Sequence, residues 1–280
     1  MSARTNKHYS QELAVFEGFL DPYMKYSSGW FEQWDEPLDA AIVRMLDIIL
    51  EAGRVRDGTR VLDIGNGWGA VLKRLREKHS GIRYLGVNPS QVQLEYIADA
   101  VDADATCIQG TFEDVMGVIE GPFDTILMIG AICHMRDKLA VKKRANELLA
   151  PGGRLVIEDT FFLSEDLYQA HARRDETRFV QDDVFGFAHV HSLAHHFDDL
   201  RRAGFRVMSA LNNSDHYAHT IEIWTARLKE YNPKSFPMAE KFVQYMDVFQ
   251  RGWGYTISNY LMACEKLPER RRQKVAFPGR

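Results

Sequence analysis

The sequence has little that would place the protein in a membrane, in a disulfide-rich fold or on a nucleic acid. Only three cysteines (Cys107, Cys133 and Cys264) occur in 280 residues, and their spacing matches neither a disulfide framework nor a zinc motif. The longest apolar run, around residues 126–133, is too short to cross a bilayer. Residues 1–7 lack the apolar core of a signal peptide. The net charge of −4 does not suggest a nucleic-acid partner. We therefore expect a cytoplasmic protein without stable membrane insertion.

What the sequence does contain is typical of a globular α/β protein. Hydrophobic residues make up 45% of the chain and charged residues 26%. Between residues 55 and 160, short apolar runs that predict strands alternate with segments of helical spacing. The predicted strands lie near residues 60–64, 82–88, 105–109, 123–130 and 154–158. This alternation predicts a doubly wound, mostly parallel sheet with a Rossmann-like arrangement of helices.

The flanking segments predict a cap and a lid around that sheet. Residues 8–34 are rich in aromatics, and residues 1–54 are expected to form an N-terminal helical cap, followed by one large domain over residues 55–280. Residues 161–192 break the alternation and predict an insertion that covers the carboxyl ends of the strands. Ser192 is a plausible N-cap of the next helix. Residues 238–265 are expected to form a last helical region.

A glycine-rich turn organises the chain. Asp63 lies in the first apolar strand, two places before Gly65, and Gly65, Gly67 and Gly69 follow before a helical segment. Such a turn lets a ligand meet free backbone N–H groups at a helix start. The spacing fits the first motif of S-adenosylmethionine (SAM) methyltransferases better than the G-x-G-x-x-G of dinucleotide-binding proteins. Asp63, Gly65 and Gly67 are predicted to bind the cofactor. A glycine turn without a ligand remains an alternative.

The ends of the next strands carry polar side chains that can serve the same ligand. Asn88 ends the second strand, where a side chain can reach a ribose, and Gln93 lies one helical turn later. Thr111 and Phe112 follow the third strand.

A cluster of four histidines, His189, His191, His195 and His196, raises the question of a metal. His191 and His195 are four residues apart, but Ser192 is expected to start a helix between them. No carboxylate completes a recognisable motif. We therefore expect no metal site.

Four segments together resemble the cyclopropane fatty acid synthase and mycolic acid methyltransferase family, over about residues 12–265. These segments are Phe19-Leu20-Asp21-Pro22 with Tyr26-Ser27-Ser28-Gly29-Trp30-Phe31, Asp63-Ile64-Gly65-Asn66-Gly67-Trp68-Gly69, His216-Tyr217 with Thr220 and Trp224, and Arg251-Gly252-Trp253. The combination of Trp68 with the distant His216-Tyr217 pair is specific, because a generic methyltransferase would have neither.

The resemblance implies a SAM site at named positions. Tyr26 and Ser27 would hold the methionine carboxylate of SAM, and Gly65 and Gly67 would lie under its methionine part. Asn88 and Gln93 would bind the ribose. The adenine would be bordered by Thr111 and Phe112, with Ile129 packed nearby.

The departures from the family concern the catalytic centre. The family has Glu-His after the fourth strand, and its Glu helps to hold a bicarbonate ion that acts as the base. Here Cys133 replaces that Glu, and Ser28 replaces a family cysteine. A thiol of ordinary pKa cannot replace a carboxylate in this role, so we expect no bicarbonate. His134 and Tyr217 match the family; His134 is the expected base and Tyr217 is expected to orient the substrate.

These features predict a SAM-dependent methyltransferase that acts on a small-molecule acceptor at nitrogen, oxygen or activated carbon. Two alternatives stay open: methylation or cyclopropanation of an unsaturated fatty acyl chain, and a SAM-binding protein without transfer activity. Whether the protein forms a homo-oligomer is also open.

Overall fold

The computed structural model describes residues 13–230 and 239–267. Its elements follow the chain as α1 (Leu13–Phe19), α2 (Leu38–Ala52), β1 (Arg60–Ile64), α3 (Ala70–Lys78), β2 (Arg83–Asn88), α4 (Gln91–Tyr96), β3 (Thr106–Gln109), α5 (Phe112–Val115), β4 (Phe123–Ile129), α6 (Lys138–Leu148), β5 (Leu149–Phe162), α7 (Glu165–His171), α8 (Asp175–Arg178), α9 (Leu193–Arg202), β6 (Phe205–Asn212), α10 (Ser214–Lys229), α11 (Ala239–Gly252) and β7 (Ile257–Lys266). A 3-10 turn, Ile132–His134, follows β4.

The strands form one sheet in the order β3-β2-β1-β4-β5-β7-β6. Strands β1 to β5 pair in parallel, and β7 pairs antiparallel with both β5 and β6. The central strands are apolar because helices cover both faces of the sheet. The predicted doubly wound, mostly parallel α/β fold is confirmed.

This strand order places a crevice beside the glycine turn. The chain runs outward from β1 to β3 and then crosses back to β4, on the other side of β1. Ligands in open α/β sheets bind at such a switch point, outside the carboxyl ends of the strands. The fold therefore places the ends of β1 and β4 at a natural binding position.

The prediction of a helical region over residues 238–265 is wrong in its second half. Helix α11 ends at Gly252, and Ile257–Lys266 is strand β7. Strand β7 is hydrogen-bonded on both sides, and most of its residues are buried. Pairing with two neighbours therefore decides the conformation of this segment, which helical periodicity cannot reveal.

The predicted N-cap at Ser192 is confirmed. The Ser192 side chain accepts a hydrogen bond from the His195 backbone N–H at 3.3 Å, at the start of α9. Ser90 and Thr111 cap α4 and α5 in the same way. Such side chains satisfy an N–H that has no partner within the helix.

The N-terminal segment packs into the main hydrophobic core. The rings of Phe16 and Trp68 lie 5.2 Å apart, and those of Phe19 and Trp224 lie 5.9 Å apart. Residues 1–12 of the predicted cap lie outside the described residues, and its boundary at residue 54 stays a prediction, as does the predicted role of residues 161–192 as a substrate lid. In the described ranges, no helix combines the length and the apolar character needed to cross a membrane.

Candidate active site

A cavity of about 990 Å³ opens beside the glycine turn, and we call it the cofactor cavity. Its lining includes all ten residues predicted to bind SAM: Tyr26, Ser27, Asp63, Gly65, Gly67, Asn88, Gln93, Thr111, Phe112 and Ile129. The chain folds so that residues far apart in sequence surround one space. Which part of SAM each of them contacts stays a prediction.

The glycine turn requires glycine for two different reasons. Gly65 and Gly67 have φ angles of +77° and +51°, in the left-handed region that favours glycine. A Cβ on Gly65 would lie 2.7 Å from the Cβ of Ala131, so that position has no room for a side chain. A Cβ on Gly67 would meet no protein atom within 4 Å. Since Gly67 lines the cofactor cavity, a ligand can approach its backbone closely.

Asn88 ties the glycine turn to the second strand. Its Nδ2 lies within hydrogen-bond distance of Asn66 Oδ1 (3.0 Å), Gly67 O (2.9 Å) and Gln93 Oε1 (3.1 Å). Its Oδ1 accepts from the backbone N–H of Ser90 at 2.9 Å. The Asn88 amide thus positions the glycine turn. Asn88 also lines the cofactor cavity, where the sequence predicts that it binds the ribose.

Asn88→Asp is expected to lower the free energy of unfolding by about 1–3 kcal/mol, because a carboxylate cannot donate to these three oxygens. The measurement is urea unfolding at pH 8. Asn146→Asp is the control, since Asn146 Nδ2 donates to a single carbonyl oxygen, that of Gly204. An equal loss in the two variants would contradict the bridging role of Asn88.

Trp68 packs beneath the cofactor cavity. The side chain is buried between Phe16 and Tyr96, with the Tyr96 ring 5.4 Å away and edge-on. Its Nε1 has no hydrogen-bond partner in the part of the chain that the structure describes. A buried N–H without a partner is costly, and it can be satisfied by a polar atom in the cavity that Trp68 lines.

A second space of about 660 Å³ adjoins the cofactor cavity, and we call it the aromatic cavity. Its aromatic lining consists of Tyr26, Phe185, Tyr217, Trp224, Tyr245 and Phe249, and its remaining lining residues include Cys133, Glu158, Asp159, Thr160 and Asn259. The two cavities share the lining residues Tyr26, Ser27, Gly130 and His134. These four residues mark the junction across which a group bound in one cavity can reach a molecule bound in the other.

His134 lies at this junction as a neutral ring. Its Nδ1 is 2.8 Å from the carbonyl oxygen of Phe187, so Nδ1 carries the proton. Burial lowers the pKa of His134 to about 4. The ring is therefore uncharged at neutral pH, and the role of His134 as the base stays a prediction.

Cys133 and Tyr217, the other two predicted catalytic positions, line the aromatic cavity in their protonated forms. Burial and the nearby Asp159 raise the pKa of the Cys133 thiol well above its usual value. Burial and the neighbouring Tyr245 hydroxyl raise the pKa of Tyr217 as well. Neither group is a base at neutral pH, and Tyr217 retains a hydroxyl that can donate a hydrogen bond.

A buried ion pair that the sequence pattern did not predict lies at the same junction. Lys25 Nζ lies 3.1 Å from Glu158 Oε2, and both side chains are almost completely buried. Lys25 Nζ also donates to Ser27 Oγ and to the carbonyl oxygen of Ser28. The signal available in the sequence was a pair of adjacent acidic residues, Glu158 and Asp159, at the carboxyl end of the predicted fifth strand.

The histidine cluster does have a carboxylate beside it. Ligand atoms of His191, His195 and Asp199 lie within 4.8 Å of one another, and Asp199 follows His195 by one helical turn. The expectation that no carboxylate completes the cluster is therefore wrong, because α9 brings Asp199 onto the same face. Asp199 Oδ2, however, already accepts from Lys142 Nζ at 3.1 Å, and this ammonium group opposes a bound cation.

An open α/β sheet with a glycine turn at its switch point, joined to a second cavity, is the architecture expected of a SAM-dependent methyltransferase. The model of the family described as "Mycolic acid cyclopropane synthetase" matches residues 1–276. Cyclopropane mycolic acid synthase 3 of Mycobacterium tuberculosis is 26% identical over 269 residues, which cover 93% of this chain and 90% of that protein.

Solved structures agree with this match at the level of the fold. The cyclopropane synthase MmaA2 from Mycobacterium tuberculosis superimposes with a TM-score of 0.83 at 22% identity, over 94% of this chain and 97% of that one. The mycolic acid cyclopropane synthase CmaA1, in complex with SAH and CTAB, gives 0.82 at 23% identity, over 94% and 98%.

The chain belongs to the mycolic acid cyclopropane synthetase family of SAM-dependent methyltransferases, and it is an enzyme. The cofactor cavity fits SAM: it combines a glycine turn open to a ligand at Gly67, an indole N–H at Trp68 that has no partner among residues 13–230 and 239–267, and amide groups at Asn88 and Gln93.

Proposed function

We propose that the protein transfers a methyl group from SAM to an unsaturated acyl chain. The observation that carries this proposal is the aromatic cavity, which adjoins the cofactor cavity at Tyr26, Ser27, Gly130 and His134. Bound SAM supplies a methyl group on a positively charged sulfur. The family match favours a lipid acceptor over the small-molecule acceptor predicted from the sequence.

The walls of the aromatic cavity suit this chemistry. Addition of a methyl group to a carbon–carbon double bond leaves a positive charge on the neighbouring carbon. Aromatic faces stabilise a nearby cation by about 0.5–2 kcal/mol each. Tyr26 and Tyr245 are hydrogen-bonded to each other through their hydroxyls, which fixes these two rings. The Trp224 ring lies 5.5 Å from that of Tyr26.

Space for a long acceptor continues beyond the aromatic cavity. A third cavity, of about 880 Å³, shares the lining residues Thr160, Val190 and Phe249 with it. Its apolar lining side chains are Phe162, Val180, Val190, Val248, Phe249 and Ile257, and charged side chains of Arg174, Glu176 and Arg251 also line it. A flexible apolar chain can extend into such a space, because burial of each CH₂ group contributes about 0.8 kcal/mol.

A second candidate acceptor is a small amine. The aromatic cavity contains the two carboxyl side chains Glu158 and Asp159 among its lining residues. Aromatic rings together with carboxylates are also a suitable environment for a positively charged amine.

The test uses SAM with a fully deuterated methyl group. The purified enzyme is incubated separately with phospholipid vesicles that carry monounsaturated acyl chains and with a panel of secondary and tertiary amines, and the products are analysed by mass spectrometry. We expect labelled acyl chains and no labelled amine. Products that retain all three deuteriums indicate methylation, and products that retain two indicate ring closure or a methylene group. A labelled amine without labelled lipid would replace the proposed acceptor by the second candidate.

A further inference from the structure

We propose that Glu158 is the proton acceptor of this reaction and that Lys25 is the residue that positions it. The inference rests on the proposed function, because a proton must leave only after the acceptor has been methylated. In the family that the chain resembles, a bicarbonate ion is implied as the base, and the Cys133 substitution removes the carboxylate expected to hold it. The fold brings a different carboxylate to the same cavity.

Glu158 lies in the carboxyl-terminal half of β5, at the floor of the aromatic cavity. Its Oε2 accepts from Ser27 Oγ at 3.2 Å, and Ser27 lines both the cofactor cavity and the aromatic cavity. The carboxylate is thus one hydrogen bond away from the junction at which a methyl group would be delivered.

Three donors from two parts of the chain hold this carboxylate. Lys25 Nζ and Ser27 Oγ donate to Oε2, and Asn213 Nδ2 donates to Oε1 at 3.2 Å. A carboxylate oxygen has two lone pairs. Among the hydrogen bonds of the described residues, Oε1 accepts only the one from Asn213, so it retains a lone pair for a proton.

The other titratable groups of the aromatic cavity are less suited to this role. Cys133 and Tyr217 are protonated, and protonation of His134 would create a buried positive charge beside the cation of the methylated acceptor. Asp159 accepts backbone N–H bonds on both oxygens, from Cys133 at 3.0 Å and from Thr160 at 2.8 Å. Unlike Glu158, Asp159 makes no hydrogen bond to any of the four junction residues among the described residues.

The proposed step is a proton transfer from the methylated acyl chain. A C–H bond breaks, either in the added methyl group or at a carbon next to the cation. The proton moves to Oε1 of Glu158. The electron pair of that bond forms the new carbon–carbon bond of a ring or a double bond and thereby neutralises the cation. The proton then leaves Glu158 for water, which restores the carboxylate.

The first experiment compares Glu158→Gln with Glu265→Gln. We expect Glu158→Gln to lower turnover at least about 100-fold, the usual contribution of a general base, and to change the Kd of SAM less than about threefold. Glu265 is a control carboxylate distant from the cavities, paired with Arg154 at 3.0 Å. Its variant is expected to keep wild-type turnover. Calorimetric titration with SAM and urea unfolding show whether each variant is folded and binds SAM.

Two further variants separate the base from a structural role. The double variant that combines Lys25→Met with Glu158→Gln removes both charges, so no unpaired ammonium group remains buried. We expect this double variant to fold but to be inactive. Glu158→Gly leaves a gap that a small carboxylate from solution can fill. We expect added formate to raise the turnover of this variant at least about tenfold.

The outcomes distinguish this inference from the proposed function. If the wild-type enzyme methylates acyl chains and the Glu158→Gln variant is equally active, the inference is overturned and the proposed function stands. A folded Glu158→Gly variant that binds SAM but gains nothing from formate would also overturn the inference alone. Wild-type enzyme that labels no acyl chain would overturn the proposed function and this inference with it.

Discussion

Gly67→Ala is expected to weaken SAM binding about 100-fold, or by about 3 kcal/mol, whereas Gly152→Ala is expected to leave SAM affinity unchanged. Both glycines have a positive φ, +51° and +75°, and an added Cβ would meet no protein atom within 4 Å at either position. The left-handed conformation alone costs each variant about 1–2 kcal/mol of stability. The two substitutions therefore impose a similar strain on the protein.

The difference between them lies in what surrounds the added methyl group. Gly67 lines the cofactor cavity, and Gly152 lies on a separate surface at the start of β5. The methyl group at residue 67 would occupy space that a bound ligand needs. Calorimetric titration with SAM measures the affinity, and urea unfolding confirms that both variants are folded. Equal affinities in wild type and Gly67→Ala would mean that SAM does not lie against this turn.

Asp63→Asn is expected to stabilise the protein increasingly as the pH rises. Burial raises the pKa of Asp63 to about 7, and the Tyr84 hydroxyl, 3.1 Å from Oδ2, offsets this only in part. In the unfolded chain the pKa is about 4. Between about pH 4 and pH 7 the unfolded state has lost the proton that the folded state retains, so the free energy of unfolding falls as the pH rises.

The expected size of this effect follows from the difference in pKa. Three pKa units correspond to about 4 kcal/mol, which is the largest gain of Asp63→Asn over wild type between pH 4 and pH 8. Urea unfolding of both proteins across this range measures it. The exposed Asp57 is the control: a hydrogen bond from the Ser80 backbone N–H lowers its pKa, so Asp57→Asn should show no such gain. A gain for Asp63→Asn that does not depend on pH would mean that Asp63 is already ionised in the folded state near pH 4.

Local sequence was sufficient for much of the fold. The apolar runs of β1 and β4, the glycine turn after Asp63 and the N-cap at Ser192 depend on neighbours within a few residues, and all were predictable. Strand β7 was not, because the aromatics before it continue the helical spacing of α11 and only pairing with β5 and β6 favours the extended form.

The candidate site divides in the same way. The class of the protein and the ten positions that line the cofactor cavity were predictable from the sequence, because short segments of the chain resemble the motifs of a known family. The contact between Lys25 and Glu158, 133 residues later, and the burial of His134 as a neutral ring are visible only in the folded chain. Contacts between distant segments and the desolvation of buried groups arise only when the chain has packed, and no local pattern encodes them.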